Sequence, residues 1–426
     1  MAKQIFSARE AAVRIVRRLV DAGHVAYLAG GCVRDRLLGQ EPKDYDVATD
    51  APPDKVHELF SSSRFVGEAF GVVLVRQGAY QVEVATFRTE GRYEDGRRPS
   101  VVSFTTAEQD AKRRDFTING LFEDPLAECE TNRVIDYVGG VADLRERVLR
   151  TIGSAWSRFD EDYLRMLRAA RFAARFGLSV ERATHEAIVA LAGKLSQISR
   201  ERIGQEMQWM LEGPAPAASL RLVETLKLDA PALNEAHMTS GLRTVDALSS
   251  DGPWHVYLAA WMIDRHVMPT ADRLPSDHDA LPRLPAGLVG RWRRALCLSN
   301  EVRDAVRSCI AALAELMHWQ QMSEARKMRL LAHPAWSDGW RLAQALRHLP
   351  MVEAQVDAMS AEVAELSQRD LTPPPLINGE DLITAGVAPG PQMGRLLAAA
   401  YDAQLEGRLS SRAAALRWVQ EQQGGK

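Results

Sequence analysis

The chain of 426 residues is too long for a single hydrophobic core, so about two to four domains are expected. Hydrophobic residues make up 46% and charged residues 26%, a globular balance that excludes disorder, collagen and a whole-chain coiled coil. A formal net charge of −3 gives no global field for nucleic acid, so any such binding must be local to a groove.

The N-terminal stretch has no uninterrupted apolar run, because Arg14, Arg17 and Arg18 break it, so it reads as an amphipathic helix and not a signal peptide. That helix is expected over residues 8–22, with Ala12, Ile15, Val16 and Leu19 on one face. Val25 to Leu28 reads as a short strand running into Gly30-Gly31, and a second helix follows through Val33, Leu37 and Leu38. Asp44 to Ala48, Val72 to Gln77 and Gln81 to Phe87 read as strands, the last two joined across Gly78-Ala79-Tyr80. This mixed pattern ends near residues 136–140.

Beyond residue 150, leucine and alanine at helical spacing dominate, as in 163–178 and 301–319. Breaks fall at Gly213-Pro214-Ala215-Pro216, in the proline-rich stretch 269–285, and at Thr372 to Pro375. The expected fold is α+β: a small mixed head (1–150), then an all-α neck (151–213), body (214–370) and tail (371–426). Cys32, Cys129, Cys297 and Cys309 form no CxxC pair, so free thiols in a reducing, cytoplasmic compartment are expected. No run of about 18 apolar residues occurs, and no membrane span is expected.

The chemistry concentrates in GGCVRDRLLGQEPKDYDVATD, residues 30–50. A glycine pair between a strand and a helix lets backbone approach a phosphate, and Arg34, one turn on, can offer a guanidinium fork to it. A tight turn with an exposed arginine would give the same Gly-Gly pattern. Asp44 and Asp46, two apart in a strand, would point to one face. Paired carboxylates are costly unless a cation neutralises them, and hard oxygen donors with substrate phosphate suit Mg²⁺. Glu83, in a nearby strand, offers a third carboxylate.

GGxVRD, the DxD strand, RRDFTINGL (113–121), EDYLRMLRAARFAARFGL (161–178) and SRERIGQEMQWML (199–211) occur in that order. Together they resemble the class II nucleotidyltransferases of the tRNA nucleotidyltransferase and bacterial poly(A) polymerase superfamily. Residues 377–401 are a weaker echo of C-terminal segments in the same enzymes. The resemblance implies transfer of a nucleoside monophosphate from CTP or ATP to an RNA 3′-hydroxyl, with release of pyrophosphate. It implies Asp44 and Asp46 as catalytic metal ligands, Glu83 as an assisting carboxylate, and Mg²⁺ as cofactor.

The 161–178 segment looks like that family's templating helix. Asp162 and Arg165, three apart on a helix, would face the same way. Cytosine and adenine both present an exocyclic amine beside an acceptor ring nitrogen, whereas uracil and guanine present a carbonyl beside N–H. One carboxylate and one guanidinium can therefore admit C and A and reject U and G. Arg168 and Arg171 continue the stripe toward phosphates or base, while Leu164, Leu167 and Phe172 bury the opposite face. Arg114 and Asp115, with Asn119, would contact ribose or phosphate. A helix N-cap is the competing reading of Asp115.

Within the family, full CCA addition, partial (CC-only or A-only) addition and polyadenylation share these motifs, and CC-only enzymes tend to lack the flexible loop of the others. Arg92 to Ser100 looks like the flexible loop of full CCA-adding and A-adding enzymes. Residues 64–75 (RFVGEAFGVVLV) look like the tRNA-type GxxFG pattern, which favours CCA addition over polyadenylation. The partners implied are tRNA, CTP and ATP, with no DNA and no membrane. His278-Asp279 lies in a proline-rich loop and reads as incidental. Arg291, Arg293 and Arg294 around Trp292 offer a phosphate contact or a solvated helix face. Residues 391–426 hold five basic against three acidic residues, a mild bias toward RNA. A non-catalytic RNA-binding protein would have lost the carboxylates, and a generic nucleotide-binding enzyme has no P-loop or GxGxxG here.

Overall fold

Ser7 opens the first helix, α1 (Ala8–Asp21), with a capping box. Its hydroxyl accepts from the Glu10 N–H at 3.2 Å, and its own N–H donates to the Glu10 carboxylate at 2.7 Å. The expected face is fully buried: Ala12, Ile15, Val16 and Leu19, joined by Ala11. The structure, a computed structural model, describes residues 6–66, 71–90, 102–129, 133–249, 251–267 and 284–424. It divides into two compact units, Met1–Met238 and Thr239–Lys426.

In the first unit, α1 packs on β1 (Ala26–Ala29), and α2 (Gly31–Leu37), β2 (Asp46–Thr49) and α3 (Pro53–Leu59) follow. Next come β3 (Ser63–Phe65), β4 (Val72–Gln77), β5 (Tyr80–Thr86), and the paired β6 (Arg88–Glu90) and β7 (Val102–Phe104). The head continues through α4 (Ala107–Arg113), β8 (Leu121–Glu123), β9 (Val134–Asp136) and α5 (Gly140–Glu146). Among the described residues the main sheet has the order β3-β4-β5-β2-β1-β8-β9, parallel only between β2 and β5.

This topology gathers one end of the sheet. β1 is antiparallel to β2 and β8, with Ala29 opposite both Asp46 and Phe122. β5 runs parallel to β2, with Val84 beside Val47. The exit of β1 at Gly30, the start of β2 at Asp46, Glu83 of β5 and the turn before β8 therefore share one rim.

Three expectations change here. β1 is displaced by one residue, to Ala26–Ala29. β2 begins at Asp46, not Asp44, because β1 ends at Ala29, where Gly30 (φ 70°) turns the chain away and leaves earlier residues without a ladder partner. The β4–β5 loop is two residues, Gly78-Ala79, since Tyr80 already pairs with Gln77 and Gly78 takes the positive φ of 65°.

The neck is helical as expected: α6 (Ala155–Glu161), α7 (Leu164–Phe176), α8 (Arg182–Leu191) and α9 (Arg200–Leu211). Two short strands absent from the expectation, β10 (Val148–Leu149) at the end of the head and β11 (Ser179–Val180) in the neck, pair in parallel. α10 (Pro216–Thr225) and α11 (Asp229–Leu233) complete the first unit. Buried Leu167, Phe172 and Phe176 of α7 seat that helix, with Phe172 edge-on to Phe116 at 5.9 Å.

The second unit is helical throughout its described residues. α12 (Arg243–Ala247) precedes α13 (Trp254–His266), whose residues from Val256 to Arg265 are all buried. Trp261 of α13 meets Trp292 of α14 (Leu288–Ala295) at 5.0 Å, so the arginines around Trp292 flank a core anchor. α15 (Asn300–Leu316), α16 (Glu324–Ala332), α17 (Trp336–Ala345) and α18 (Pro350–Leu366) follow. A separate cluster built on Leu382, Ala403 and Val419 joins α19 (Gly379–Thr384), α20 (Pro391–Leu405) and α21 (Arg412–Gly424). The fold is α+β, with helical C-terminal regions. Cys32 and Cys309 are buried free thiols, and His278-Asp279 lies outside the described residues.

Candidate active site

The chain leaves β1 through Gly30, whose φ of 70° and ψ of −117° are unfavourable for a side chain. A Cβ there would lie 2.7 Å from Arg114 Nη1, so the position is crowded as well. Arg34 then turns inward and is only 5% exposed. Its Nε and Nη2 donate to Asp35 Oδ1 at 2.8 and 2.6 Å, and its Nη1 donates to Asn119 Oδ1 at 2.5 Å. The guanidinium lies over the Phe176 ring at 4.3 Å. The exposed-arginine reading of the Gly-Gly turn is thereby corrected.

From Asn119 a chain of bonds crosses from head to neck. Asn119 Nδ2 donates to Asp115 Oδ1 at 3.0 Å, and Arg168 Nε and Nη2 donate to Asp115 Oδ2 at 2.9 and 2.7 Å. Arg168 Nη1 lies 3.8 Å from Glu206 Oε1, and Arg171 Nε donates to Glu206 Oε2 at 2.7 Å. Asp115 is not a helix N-cap, because the 3-10 turn Thr117–Asn119 is preceded by Phe116, which makes no side-chain cap bond. Arg114 donates to Asp110 Oδ2 at 3.0 and 3.2 Å and to the Asn119 carbonyl at 3.0 Å.

These groups surround one cavity of about 700 Å³. Gly30, Gly31, Arg34, Asp44, Asp46, Arg114, Asp115, Asn119, Asp162, Arg165 and Arg168 all line it. Two expected residues do not. Glu83 sits beside Asp46 without reaching the wall, and Arg171 is drawn away by Glu206 and the Trp209 ring, 5.2 Å distant. Arg113 and Arg202 also line it, as do Leu164 and Phe172, expected on the opposite, buried face of α7 but reaching the same wall as the charged stripe. Arg113 and Arg202 lie inside two of the quoted motifs, which is the signal that could have found them.

Asp162 and Arg165 face the same space, but not as helix neighbours. Asp162 closes α6 with extended backbone (φ −156°, ψ 104°), and α7 starts only at Leu164. Its Oδ1 accepts from the Leu164 N–H at 3.0 Å and its Oδ2 from Arg202 Nη2 at 2.7 Å. Arg165 Nη1 donates to the Arg158 carbonyl at 2.9 Å and pairs with Glu161.

Asp46 opens to solvent at the cavity, yet desolvation by the surrounding protein and the neighbouring carboxylates of Asp44 and Glu83 push its carboxyl up to about 7, and Arg114 only partly offsets this. A divalent cation would reverse that penalty, so the donor set fits one. Among the described residues no group of three or more His, Cys, Asp or Glu side chains is placed to hold a metal alone. Two carboxylates sharing an ion with substrate phosphates and water is the arrangement that suits such a wall.

Comparison with known proteins gives the same direction. A family described as "Poly A polymerase head domain" matches residues 26–150, and "Probable RNA and SrmB- binding site of polymerase A" matches 177–237. A tRNA nucleotidyltransferase domain 2 family matches 289–419. A CCA-adding enzyme of Lactiplantibacillus plantarum is 34% identical over 403 residues, covering 92% of this chain and 91% of that protein. The chain belongs to the CCA-adding enzyme family. A second CCA-adding enzyme, from Geobacillus thermodenitrificans, is 38% identical over 71% of this chain and 70% of its own. The crystal structure of the Bacillus stearothermophilus CCA-adding enzyme with CTP superposes with a TM-score of 0.76 at 28% identity, covering 98% of each chain. The Thermotoga maritima CCA-adding enzyme complexed with tRNA shares the fold, with a TM-score of 0.70 at 19% identity. Family membership carries a divalent metal requirement that the wall formed by Asp44 and Asp46 can meet.

Proposed function

We propose that this CCA-adding enzyme extends the 3′ end of tRNA with C, C and A, without a nucleic-acid template, from CTP and ATP with release of pyrophosphate. The observation that carries the reading is that the paired carboxylates Asp44 and Asp46 and the base-reading pair Asp162 and Arg165 line one cavity. Mg²⁺ is the proposed ion, held by Asp44 and Asp46. It would supply Lewis-acid stabilisation of the transferring phosphoryl group.

The protein's own groups do the rest. Gly30 and Gly31 let backbone approach the triphosphate, and Arg34, Arg114 and Arg168 offset its charge. Asp115 and Asn119 contact the ribose. Asp162 accepts from the exocyclic amine of C or A, and Arg165 donates to the acceptor ring nitrogen. Glu83 acts through its charge on Asp46, and Arg171 by steadying Glu206 behind Arg168.

Head (1–150) and neck (151–213) form the catalytic part, while body (214–370) and tail (371–426) hold the tRNA. Among the described residues no helix is long and apolar enough to cross a membrane, and the proposed place of action is the cytoplasm. The loop at 92–100, expected to separate CCA and A-adding enzymes from CC-adding ones, lies outside the described residues, as do 67–70 of the GxxFG segment.

The test is incorporation by purified protein with Mg²⁺ on tRNA lacking CCA, ending in C, or ending in CC, each with CTP, ATP or both. Products that stop at a complete CCA on all three establish the function. Extension of only the CC-ended tRNA makes it an A-adding enzyme, and long A tails make it a polymerase.

A further inference from the structure

We propose that Arg202 of α9 is a positioning residue for nucleotide choice: it holds the Asp162 carboxylate open toward the base. The inference rests on the base-reading role proposed above for Asp162 and Arg165.

Asp162 lies in the extended link between α6 and α7, where no helical ladder fixes its side chain. Two bonds orient its carboxylate, from the Leu164 N–H at 3.0 Å and from Arg202 Nη2 at 2.7 Å. The pair is shielded, with side chains 13% and 24% exposed for Asp162 and Arg202. A carboxylate has about four lone-pair directions, so two remain after these bonds to accept from an exocyclic amine.

The partnering has a second effect. Asp162 and Arg165 carry opposite charge, three residues apart on one cavity wall, and would attract each other. Instead Asp162 pairs with Arg202, while Arg165 pairs with Glu161 and donates to the Arg158 carbonyl. Each reader is thus held by a neighbour and kept off the other. If Arg202 is removed, the carboxylate loses one of its two restraints and becomes free to close on Arg165. Both hydrogen-bonding edges meant for the base would then be spent on each other. Arg202 comes from a helix some forty residues away, so it also ties the reading edge to the placement of α9.

The experiment measures single additions to tRNA lacking CCA (CTP against UTP) and to tRNA ending in CC (ATP against GTP). For Arg202→Ala the ratio of kcat/KM for the right over the wrong nucleotide should fall about tenfold to a hundredfold, the range of one charge-assisted hydrogen bond. KM for CTP and ATP should rise more than kcat falls. Arg202→Lys, which keeps the charge without the planar fork, should recover part of the discrimination. Adding Arg202→Ala to Asp162→Ala should cost nothing further in discrimination, since the first acts through the second.

Undiminished discrimination in Arg202→Ala, or losses that simply add in the double variant, would overturn the proposal. If Arg202→Ala does not fold by circular dichroism, Arg202→Gln, which keeps one donor, takes its place in the same comparison. A wild-type protein that adds C and A selectively beside an equally selective Arg202 variant defeats only this inference. A wild-type protein without C and A selectivity defeats the functional reading beneath it.

Discussion

Arg168 on the neck helix α7 clasps Asp115 of the head through two hydrogen bonds to a single oxygen, at 2.9 and 2.7 Å. Burial alone would raise the Asp115 carboxyl, but Arg168, with Asn119 and Arg165, holds it down to about 2. A carboxyl depressed in the folded state adds stability that is fully present above its unfolded pKa. That stability is lost as pH falls through the folded value. From the ordinary value of 3.8 to about 2, the contribution is about 2 kcal/mol, surrendered between roughly pH 4 and pH 2. In urea unfolding, wild type should exceed Asp115→Asn by at least this amount at pH 7, and the margin should shrink by about 2 kcal/mol near pH 2. A margin independent of pH would rule out the ion pair as its source.

Much of this site is legible locally. Gly30-Gly31, Arg34 and the two aspartates lie within seventeen residues, and each needs only a strand exit or a strand start to reach the rim. Asp162 reads as helical from the sequence because EDYL carries no glycine or proline to mark the break between α6 and α7, where it in fact sits. The partner that secures the broken geometry, Arg202, is distant in sequence, and such pairing leaves no periodicity to read. Arg171 fits the helical stripe perfectly well by spacing, but buried Glu206 claims it. Strands β10 and β11 are two residues each, too short for alternation to register.

Loss of either wall carboxylate should stop chemistry without unfolding the protein. Asp44→Ala and Asp46→Asn are expected to reduce CTP and ATP incorporation by about 10³-fold or more, the scale of losing metal-assisted charge stabilisation. The melting temperature without metal should hold or rise, because Asp44, Asp46 and Glu83 repel one another. Wild type should gain stability with added Mg²⁺, and the variants should gain little. A variant with near wild-type incorporation would remove these two residues from the reaction.

Arg34 and Arg165 should fail in different ways. Arg34 is buried against Phe176 and fixed by Asp35 and Asn119, at the Gly30-Gly31 end of the cavity. Arg34→Ala should raise KM for CTP and ATP together by about ten- to a hundredfold, one to two charge-assisted bonds' worth, with base preference intact. Arg165→Ala should instead admit UTP or GTP, and Glu161→Ala, which frees Arg165, should show a weaker version of the same defect. Unchanged nucleotide preference in Arg165→Ala would defeat the base-reading assignment.

Gly30 links backbone geometry to the arginine beside it. An alanine there must take φ 70° with ψ −117°, a region that L-residues rarely adopt, at a cost of about 1–3 kcal/mol. Its methyl would also stand 2.7 Å from Arg114 Nη1. Because that contact is the end of a long side chain, Arg114 can swing away, giving up its bond to the Asn119 carbonyl. The expected phenotype is therefore a modest fall in unfolding free energy with a larger fall in kcat/KM for both nucleotides. Gly30→Ala and Arg114→Ala should overlap in their kinetic effect, since the first acts largely by displacing the second. Fully additive kinetic losses in the double variant would show that Gly30 serves the triphosphate directly and not through Arg114.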